Sequence, residues 1–289
     1  MATTSKHIVI TGATAGIGRS SALHLAKAGA RLTLLSRNPA KAEALAAEVV
    51  AAGGPTPGLI TMDMASLASV RVAAEQCLAL NAPIDILLNN AGVVNTSRRV
   101  TVDGFEETLA VNHLAPFLLT GLLLPAMETE HQARIVNVAS DAHSFVRHMR
   151  FEDMQAEESY KTFREYGRSK LANILFTREL AKRLDKEQIT VNCLHPGAVA
   201  TSLGSQNDGR LAKWLPALLK PFFRSPDRGA STSIYLCESE EVNQVNGAYF
   251  VNCRERSPKT WAQDDSAAAR LWQYSEEAVG FSYPDYRPH

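Results

Sequence analysis

The chain has 289 residues, and its 30 lysines and arginines balance 30 aspartates and glutamates, so its formal net charge is zero. Hydrophobic residues make up 45% and charged residues 21%, which excludes intrinsic disorder, because disordered chains combine low hydrophobicity with high net charge. The balanced charge also argues against a nucleic-acid-binding protein, which usually carries a basic excess. A chain of this length can bury a large core in one large α/β domain or two small ones.

The cysteine and histidine spacings favour a reduced intracellular protein with no metal site. The four cysteines form no Cys-x-x-Cys pair, and the eight histidines form no His-x-x-x-His pair. Residues 1–6 are polar and do not resemble a signal peptide. The longest apolar stretch, residues 114–127, contains Pro116 and Pro125 and is too short to span a bilayer. We therefore expect a cytoplasmic protein with no transmembrane segment.

Short apolar, β-branched runs alternate with longer segments of helical periodicity along the whole chain. The runs span residues 7–11, 31–35, 58–62, 84–90, 134–140, 189–195 and 247–252. Each is nearly continuously hydrophobic, which predicts strands that are covered on both faces. Helical patterns cover residues 16–28, 39–51, 66–80 and 166–185, and Asn38 followed by Pro39 predicts a cap at the start of the second of these helices. The alternation predicts one doubly wound α/β domain over residues 1–289, a seven-stranded parallel sheet with helices on both faces.

A glycine-rich turn follows the first predicted strand and opens a helix. Glycine lets the backbone approach a pyrophosphate closely, and a helix N-terminus offers free N–H groups and a positive dipole end. A turn of this kind at the start of a β-α-β unit indicates a dinucleotide site, with a ligand-free tight turn as the alternative. The predicted cofactor contacts in this turn are Gly12, Thr14, Ala15, Gly16, Ile17 and Gly18.

The second predicted strand ends at Ser36 and Arg37, and no acidic residue lies between Leu32 and Lys41. An acidic residue at this strand end would bind the ribose 2′-hydroxyl of NAD, whereas a guanidinium matches a 2′-phosphate. The sequence therefore favours NADP(H) as the cofactor. A surface arginine without a ligand is the alternative interpretation.

The third and fourth predicted strands also end in residues suited to a nucleotide. Asp63, followed by Met64, is placed to accept a hydrogen bond from the adenine amino group. After the fourth strand, small residues leave room for the cofactor's ribose and ring. The predicted contacts there are Asn90, Ala91 and Gly92.

Two segments, residues 141–165 and 200–225, fit no repeat unit, and both follow strands. We expect them to be substrate loops, because ligands of such folds bind beyond the carboxyl ends of the strands. Their apolar side chains predict an apolar, fairly bulky substrate, unless they pack in the core. These side chains are Phe145, Met149, Phe151, Met154, Trp214, Leu218, Phe222 and Phe223. Residues 211–223 are predicted to form a flap over a pocket, with a lipid-contacting patch as the alternative.

An acid–base pair is predicted where Tyr166 and Lys170 lie four residues apart at the start of a helix, on one face. A neighbouring ammonium stabilises a phenolate, so we expect the pKa of Tyr166 to fall from about 10 toward 7. That pKa suits proton transfer to a carbonyl or from an alcohol. Ser140 ends the fifth predicted strand, and its hydroxyl is placed to hydrogen-bond the reacting oxygen. Taken alone, a tyrosine and lysine at this spacing would more often be a surface pair.

Together these motifs resemble the short-chain dehydrogenase/reductases over residues 6–255. The glycine turn has that family's T-G-x-x-x-G-I-G form, residues 89–92 its N-N-A-G form, and residues 166–170 its Y-x-x-x-K form. Residues 111–114, 141–143 and 169–173 resemble the retinol dehydrogenase-like branch. The resemblance implies a Rossmann fold.

The resemblance also implies a role for each site residue. Tyr166 would be the general acid/base, and Lys170 would lower its pKa and bind the nicotinamide ribose. Ser140 would orient the carbonyl, and Asn112 would hold a water that links Lys170 to solvent. The segment after the sixth strand would contact the nicotinamide amide through Pro196, Val199 and Thr201.

These observations predict an NADP(H)-dependent oxidoreductase that interconverts a carbonyl and an alcohol on an apolar substrate. Two alternatives stay open: a non-catalytic NADP-binding sensor or scaffold, and a sugar-nucleotide-type epimerase or dehydratase. The sequence predicts no nucleic-acid partner, since no basic stretch is interleaved with aromatic residues. The resemblance implies a homo-oligomer, a dimer or tetramer, paired through helices at residues 103–130 and 166–185.

Overall fold

A computed structural model describes residues 6–127, 132–197 and 225–284 of the chain. The strands are β1 (His7–Thr11), β2 (Arg31–Ser36), β3 (Gly58–Thr61), β4 (Ile86–Asn89), β5 (Ala133–Val138), β6 (Ile189–His195), β7 (Tyr249–Val251) and β8 (Arg254–Arg256). The helices are α1 (Gly16–Lys27), α2 (Pro39–Ala51), α3 (Leu67–Leu78), α4 (Glu107–Met127), α5 (Thr162–Arg183), α6 (Pro226–Glu238) and α7 (Asp265–Val279). Val199, Thr201 and the predicted flap at residues 211–223 lie outside the described residues, as does the predicted loop 200–225 apart from Ser225.

The strands form one sheet in the order β3-β2-β1-β4-β5-β6-β7-β8. The first seven strands pair in parallel, as the sequence predicts. Because β1 lies between β2 and β4, the strand order reverses there, and a crevice opens at the carboxyl ends of β1 and β4. The doubly wound Rossmann prediction is confirmed.

The eighth strand was not predicted, so the seven-stranded count is one too low. β8 pairs antiparallel with β7 at the edge of the sheet, and all three of its residues are exposed. Its Arg-Glu-Arg sequence gives no apolar signal. The hairpin turns at Asn252 and Cys253, both with positive φ, a conformation that favours tight two-residue hairpins.

Two apolar cores cover the two faces of the sheet. One joins the sheet to α3, α4, α5 and α7, and Phe117 lies fully buried within it. The other joins the sheet to α1, α2 and α6. The predicted cap of α2 is confirmed, since the Asn38 side chain accepts a hydrogen bond from the backbone N–H of Lys41 and Pro39 follows it.

Helix α4 corrects the prediction that no segment is able to cross a membrane. Its 21 residues are long and apolar enough to do so by length and composition. The predicted apolar stretch covered only residues 114–127 and was taken to be interrupted by Pro116 and Pro125. The helix instead begins at Glu107 and continues through both prolines. In this fold 83% of its apolar window is buried inside the protein, as in the core helix of a globular domain. The cytoplasmic location stays a prediction.

The C-terminal helix α7 packs on α4 and α5, the two helices through which the resemblance implies pairing of two copies, and the pairing itself stays a prediction. Trp272 of α7 packs edge-on against Phe117 of α4, with 5.1 Å between ring centroids, and also against Phe176 of α5. The Tyr283 hydroxyl then donates a 2.5 Å hydrogen bond to the Phe117 carbonyl oxygen. The C-terminal segment therefore covers part of the surface of both helices.

The segment before α5 contributes to the core as well as to the surface. It forms two short 3-10 helices, Asp141–Phe145 and Phe151–Asp153, and α5 starts at Thr162, one turn earlier than predicted. Met149 and Met154 are buried in the core, so the core-packing alternative holds for them. Phe145 is 61% exposed.

Candidate active site

A cleft of about 360 Å³ lies beyond the carboxyl ends of the central strands. Every described residue that the sequence assigns to the cofactor lines it. These residues are Gly12, Thr14, Ala15, Gly16, Ile17, Gly18, Ser36, Arg37, Asp63, Met64, Asn90, Ala91, Gly92, Tyr166, Lys170 and Pro196. Their location agrees with the prediction, and their role in binding stays a prediction.

The glycine turn packs directly against the end of β4. Gly12 has a φ of +66°, and a Cβ at this position would lie 2.7 Å from the Cα of Ala91. The Asn90 side chain donates 3.0 Å hydrogen bonds to the carbonyl oxygens of Thr11 and Gly12. The turn is therefore held in place by the neighbouring strand end, and a side chain at Gly12 would push the two apart.

The N-terminus of α1 opens into the cleft without a capping side chain. Its N-cap residue is Ala15, and no acidic residue lies in the first turn. The first N–H groups of a helix have no partner within it, and together they favour an anion. The glycine turn and this uncapped helix end fit the pyrophosphate of a dinucleotide.

Two cations lie at the end of the cleft near β2. Arg37 follows the strand, and Lys41 is in the first turn of α2. Both are exposed, and their side chains make no hydrogen bond or ion pair with the described residues. Asp63 lines the same cleft, and its Oδ1 accepts a 3.0 Å hydrogen bond from the Ala65 N–H. Lys41 was not predicted to line the cleft, although the predicted Asn38 cap already places it one turn from Arg37.

The acid–base residues lie together at the ends of β5 and α5. The Ser140 hydroxyl is close enough to the Tyr166 phenol to lower its pKa in part. The Lys170 Nζ is 5.7 Å from the centre of the Tyr166 ring and donates a 2.9 Å hydrogen bond to the Val138 carbonyl oxygen. The structure therefore brings together the three residues that the sequence selects for proton transfer.

Asn112 lies at the back of the site in a π-helical stretch of α4, Ala110–Leu114. Its Oδ1 accepts a 2.7 Å hydrogen bond from the Val93 N–H, and its Nδ2 donates to the Val93 carbonyl and the Ser169 hydroxyl. A methyl group added at Gly92 would lie 3.3 Å from the Asn112 Oδ1 and 3.5 Å from the Lys170 Nζ. Asn112 thus ties the loop after β4 to α5 beside Lys170. π-helical turns often occur at functional sites.

The protonation of the pair differs from the prediction. Burial raises the pKa of Tyr166 to about 12, although the Ser140 hydrogen bond lowers it in part. Burial also lowers the pKa of Lys170 to about 8. Burial therefore opposes the expected fall of the Tyr166 pKa toward 7, because it disfavours the charged form of each group. At neutral pH the site holds a protonated phenol beside a largely protonated amine.

Further residues line the cleft that the sequence analysis did not select. They are Leu35, Asn38, Lys41, Met62, Val93, Glu107, Val111, Val138 and Ala139. Most of them flank predicted contacts at strand ends, so extending each motif by one or two residues would have found them. Glu107 is different because the start of α4 brings it to the cleft, where it accepts a 2.9 Å hydrogen bond from the Asn95 side chain.

A second cavity of about 240 Å³ lies on the far side of α5. It is lined by Arg147, His148, Met149, Phe151, Leu171, Leu175, Trp261, Asp264, Ser266, Ala267 and Arg270. The Phe151 ring lies 4.3 Å below the Arg270 guanidinium. Phe151 therefore faces this cavity and not the cleft that contains Tyr166.

Known proteins match this chain over most of its length. The model of the short chain dehydrogenase family matches residues 6–210. Human retinol dehydrogenase 14 is 42% identical, over 95% of this chain and 86% of its own length. Human retinol dehydrogenase 13 is 38% identical, over 98% of this chain and 87% of its own.

Solved structures show the same architecture. An uncharacterized protein of Mycobacterium paratuberculosis superposes with a TM-score of 0.77 at 29% identity, covering 96% of this chain and 95% of its own. An NAD(P)-dependent gluconate 5-dehydrogenase of Beutenbergia cavernae, with bound NADP, superposes with a TM-score of 0.68 at 27% identity. That match covers 86% of this chain and 94% of the other.

Proposed function

This chain belongs to the short-chain dehydrogenase/reductase family and is retinol dehydrogenase-like, and from that premise we propose that it reduces apolar, bulky carbonyl compounds with NADPH, or oxidises the matching alcohols with NADP⁺. The family supports carbonyl–alcohol oxidoreduction with a nicotinamide cofactor. The observation that carries the catalytic proposal is that Ser140, Tyr166 and Lys170 lie together beside the cleft that contains the glycine turn.

The proton chemistry follows from the side chains themselves. When bound, a nicotinamide cofactor supplies or accepts the hydride. In reduction, the Tyr166 hydroxyl donates its proton to the substrate oxygen, and Ser140 donates a second hydrogen bond that orients this oxygen. The charged form of Lys170 then stabilises the remaining phenolate. Asn112, through Val93 and Ser169, holds the backbone on which Lys170 lies.

Charge at the β2 end of the cleft supports NADP(H) over NAD(H). Arg37 and Lys41 both line this end, and β2 ends without an acidic residue. A guanidinium and an ammonium favour the dianionic 2′-phosphate, whereas neither gains as much from a neutral 2′-hydroxyl. The gluconate 5-dehydrogenase structure with bound NADP supports the same choice.

Two exposed aromatic rings beside the catalytic residues support an apolar substrate. Phe145 is 61% and Phe163 is 66% exposed, and their rings meet edge to face with 6.3 Å between centroids. Phe163 is one helical turn before Tyr166, and a methyl group added at Gly167 would lie 3.5 Å from the Phe145 Cβ. Exposed apolar side chains at a catalytic site favour apolar ligands. The relatives named retinol dehydrogenases make retinal the first substrate to test.

The test is a panel of aldehydes and ketones with NADPH labelled with deuterium at C4. We expect retinal and long-chain aldehydes to be reduced to alcohols that carry one deuterium at the carbinol carbon, with NADPH consumed in equal amount. Cofactor binding without turnover on any compound would contradict the proposal and favour a sensor or scaffold. Preference for small polar sugars would contradict the substrate class alone.

A further inference from the structure

His143 is a buried histidine that touches the backbone of the proposed catalytic serine. It lies in the 3-10 helix that follows Ser140 and is only 1% exposed. Its Nδ1 is 2.8 Å from the Ser140 carbonyl oxygen. Its Nε2 accepts a 3.3 Å hydrogen bond from the backbone N–H of Lys259. Both ring nitrogens are thus hydrogen-bonded, Nδ1 to Ser140 and Nε2 to Lys259.

These two bonds are compatible with a single form of the ring. A carbonyl oxygen only accepts, so Nδ1 carries the proton, and a backbone N–H only donates, so Nε2 carries none. The ring is therefore neutral with its proton on Nδ1. Burial lowers the pKa of His143, and the nearby charges of Asp141 and Lys259 oppose each other there. The neutral form is the one favoured at neutral pH.

His143 also joins this turn to the C-terminal part of the chain. Its carbonyl oxygen accepts a 3.1 Å hydrogen bond from the Trp261 Nε1, and its ring packs edge-on against Tyr249 of β7 with 5.4 Å between centroids. On the other side, the Ser140 Oγ accepts a 3.1 Å hydrogen bond from the Ala142 N–H. The turn that aims the Ser140 hydroxyl at Tyr166 is thus held from the C-terminal segment through His143.

We propose that His143 is a positioning residue for the reaction: it connects the Ser140 turn to Lys259 and Trp261, and thereby holds the Ser140 hydroxyl against Tyr166. This proposal rests on the proposed function. Among the described residues, His143 does not line the cofactor cleft, and its ring nitrogens bond to Ser140 and Lys259 and not to Tyr166. Its effect on the reaction therefore passes through Ser140.

The first test compares substitutions that keep or remove the side-chain donor to the Ser140 carbonyl oxygen, while the His143 backbone N–H, which also donates to this oxygen at 3.3 Å, is kept in all of them. His143→Ala should lower kcat for retinal roughly 10- to 100-fold, since small misplacements of catalytic groups have effects of this size. NADPH affinity should stay within about twofold, because the cleft lining is unchanged. His143→Asn should recover part of kcat, since its amide donates from the Nδ1 position, whereas His143→Gln should not. Equal kcat in the Asn and Ala variants would overturn the donor role.

The second test separates positioning from general damage. Measured by single-turnover NADPH oxidation, His143→Ala should cause no further loss in a Ser140→Ala background. Trp261→Phe, which lacks the indole N–H donor, should give a smaller loss that also disappears in that background. It supplies the same test if His143→Ala does not fold. Additive losses would overturn this proposal and leave the proposed function standing.

Two controls complete the design. The exposed His24 of α1 bonds to Glu238 and lies outside the cleft lining and the predicted substrate loops, so His24→Ala should leave kcat unchanged. Ser140→Ala alone should lower kcat strongly. If Ser140→Ala has no effect on kcat, the role of Ser140 in the proposed function is wrong. That result differs from additive losses in the double variant, which would contradict only the role of His143.

Discussion

At the scale of single residues, burial determines the protonation state of Tyr166 and Lys170, the two residues proposed for proton transfer. The pKa of Tyr166 is raised to about 12 and that of Lys170 is lowered to about 8 by the same low-dielectric site. The Tyr166 phenol is therefore protonated at neutral pH, and Lys170 is the group that titrates within reach of physiological pH. The spacing of the two residues in the sequence identified both of them. It did not predict that the pKa of Tyr166 is raised and that of Lys170 lowered, because spacing carries no information on burial.

The pH dependence of reduction follows from the Lys170 pKa. Below pH 8 the amine is charged and stabilises the developing phenolate, and above pH 8 it becomes neutral. We therefore expect kcat/KM for carbonyl reduction to fall as the pH rises through about 8. A profile from pH 6 to pH 10, at saturating NADPH and limiting substrate, measures it. A kcat/KM that stays flat to pH 10 would contradict this role of Lys170.

Cofactor choice is also argued at the residue scale. Arg37→Asp should raise the KM for NADPH about 10- to 100-fold and change that for NADH much less, since the carboxylate repels a 2′-phosphate and accepts from a 2′-hydroxyl. Lys41→Ala should act in the same direction with a smaller effect. The matched control is Lys27→Ala at the far end of α1, outside the cleft. Equal changes for both cofactors would rule out the assignment.

Helix α7 shows at the element scale how one C-terminal segment completes a core. Trp272, 3% exposed, lies among Phe117, Phe176 and Tyr283, and the Arg183 guanidinium is 4.2 Å from its ring. Trp272→Ala should lower the free energy of unfolding by about 3–5 kcal/mol, as other large-to-small core substitutions do. Denaturant unfolding measures this, and the exposed Phe163→Ala is the control. A loss below about 1 kcal/mol would mean that α7 packs more loosely than described.

The elements that sequence predicted well are those whose signal is local. Seven strands were recognisable from their apolar runs, and α2 from its Asn38-Pro39 cap, although the edge strand β3 is not covered on both faces and buries only Ile60 of its four residues. Helix α5 begins one turn before the predicted residue, because the pattern was read from Tyr166 onward. The π-helical turn at Asn112 and the exposed strand β8 were not foreseen, because one depends on packing around α4 and the other carries only polar residues.

Strand order is what assembles the site at the scale of the whole molecule. The parallel sheet gathers the ends of β1, β2, β4 and β5 at one edge, so the described residues of the cofactor motifs share one cleft despite their distance in sequence. That assembly was predictable from topology rules alone. The covering of α4 and α5 by the C-terminal segment was not, because it requires contacts between residues more than a hundred positions apart.

The central claim is that Tyr166 transfers the proton while a bound nicotinamide exchanges the hydride. The most direct measurement is the single-turnover rate of retinal reduction by NADPH in Tyr166→Phe, with NADPH affinity measured on the same variant. The account predicts a fall of about 10²- to 10⁴-fold in rate, the usual contribution of a general acid, at nearly unchanged NADPH affinity. A rate close to that of the unmodified chain would contradict it.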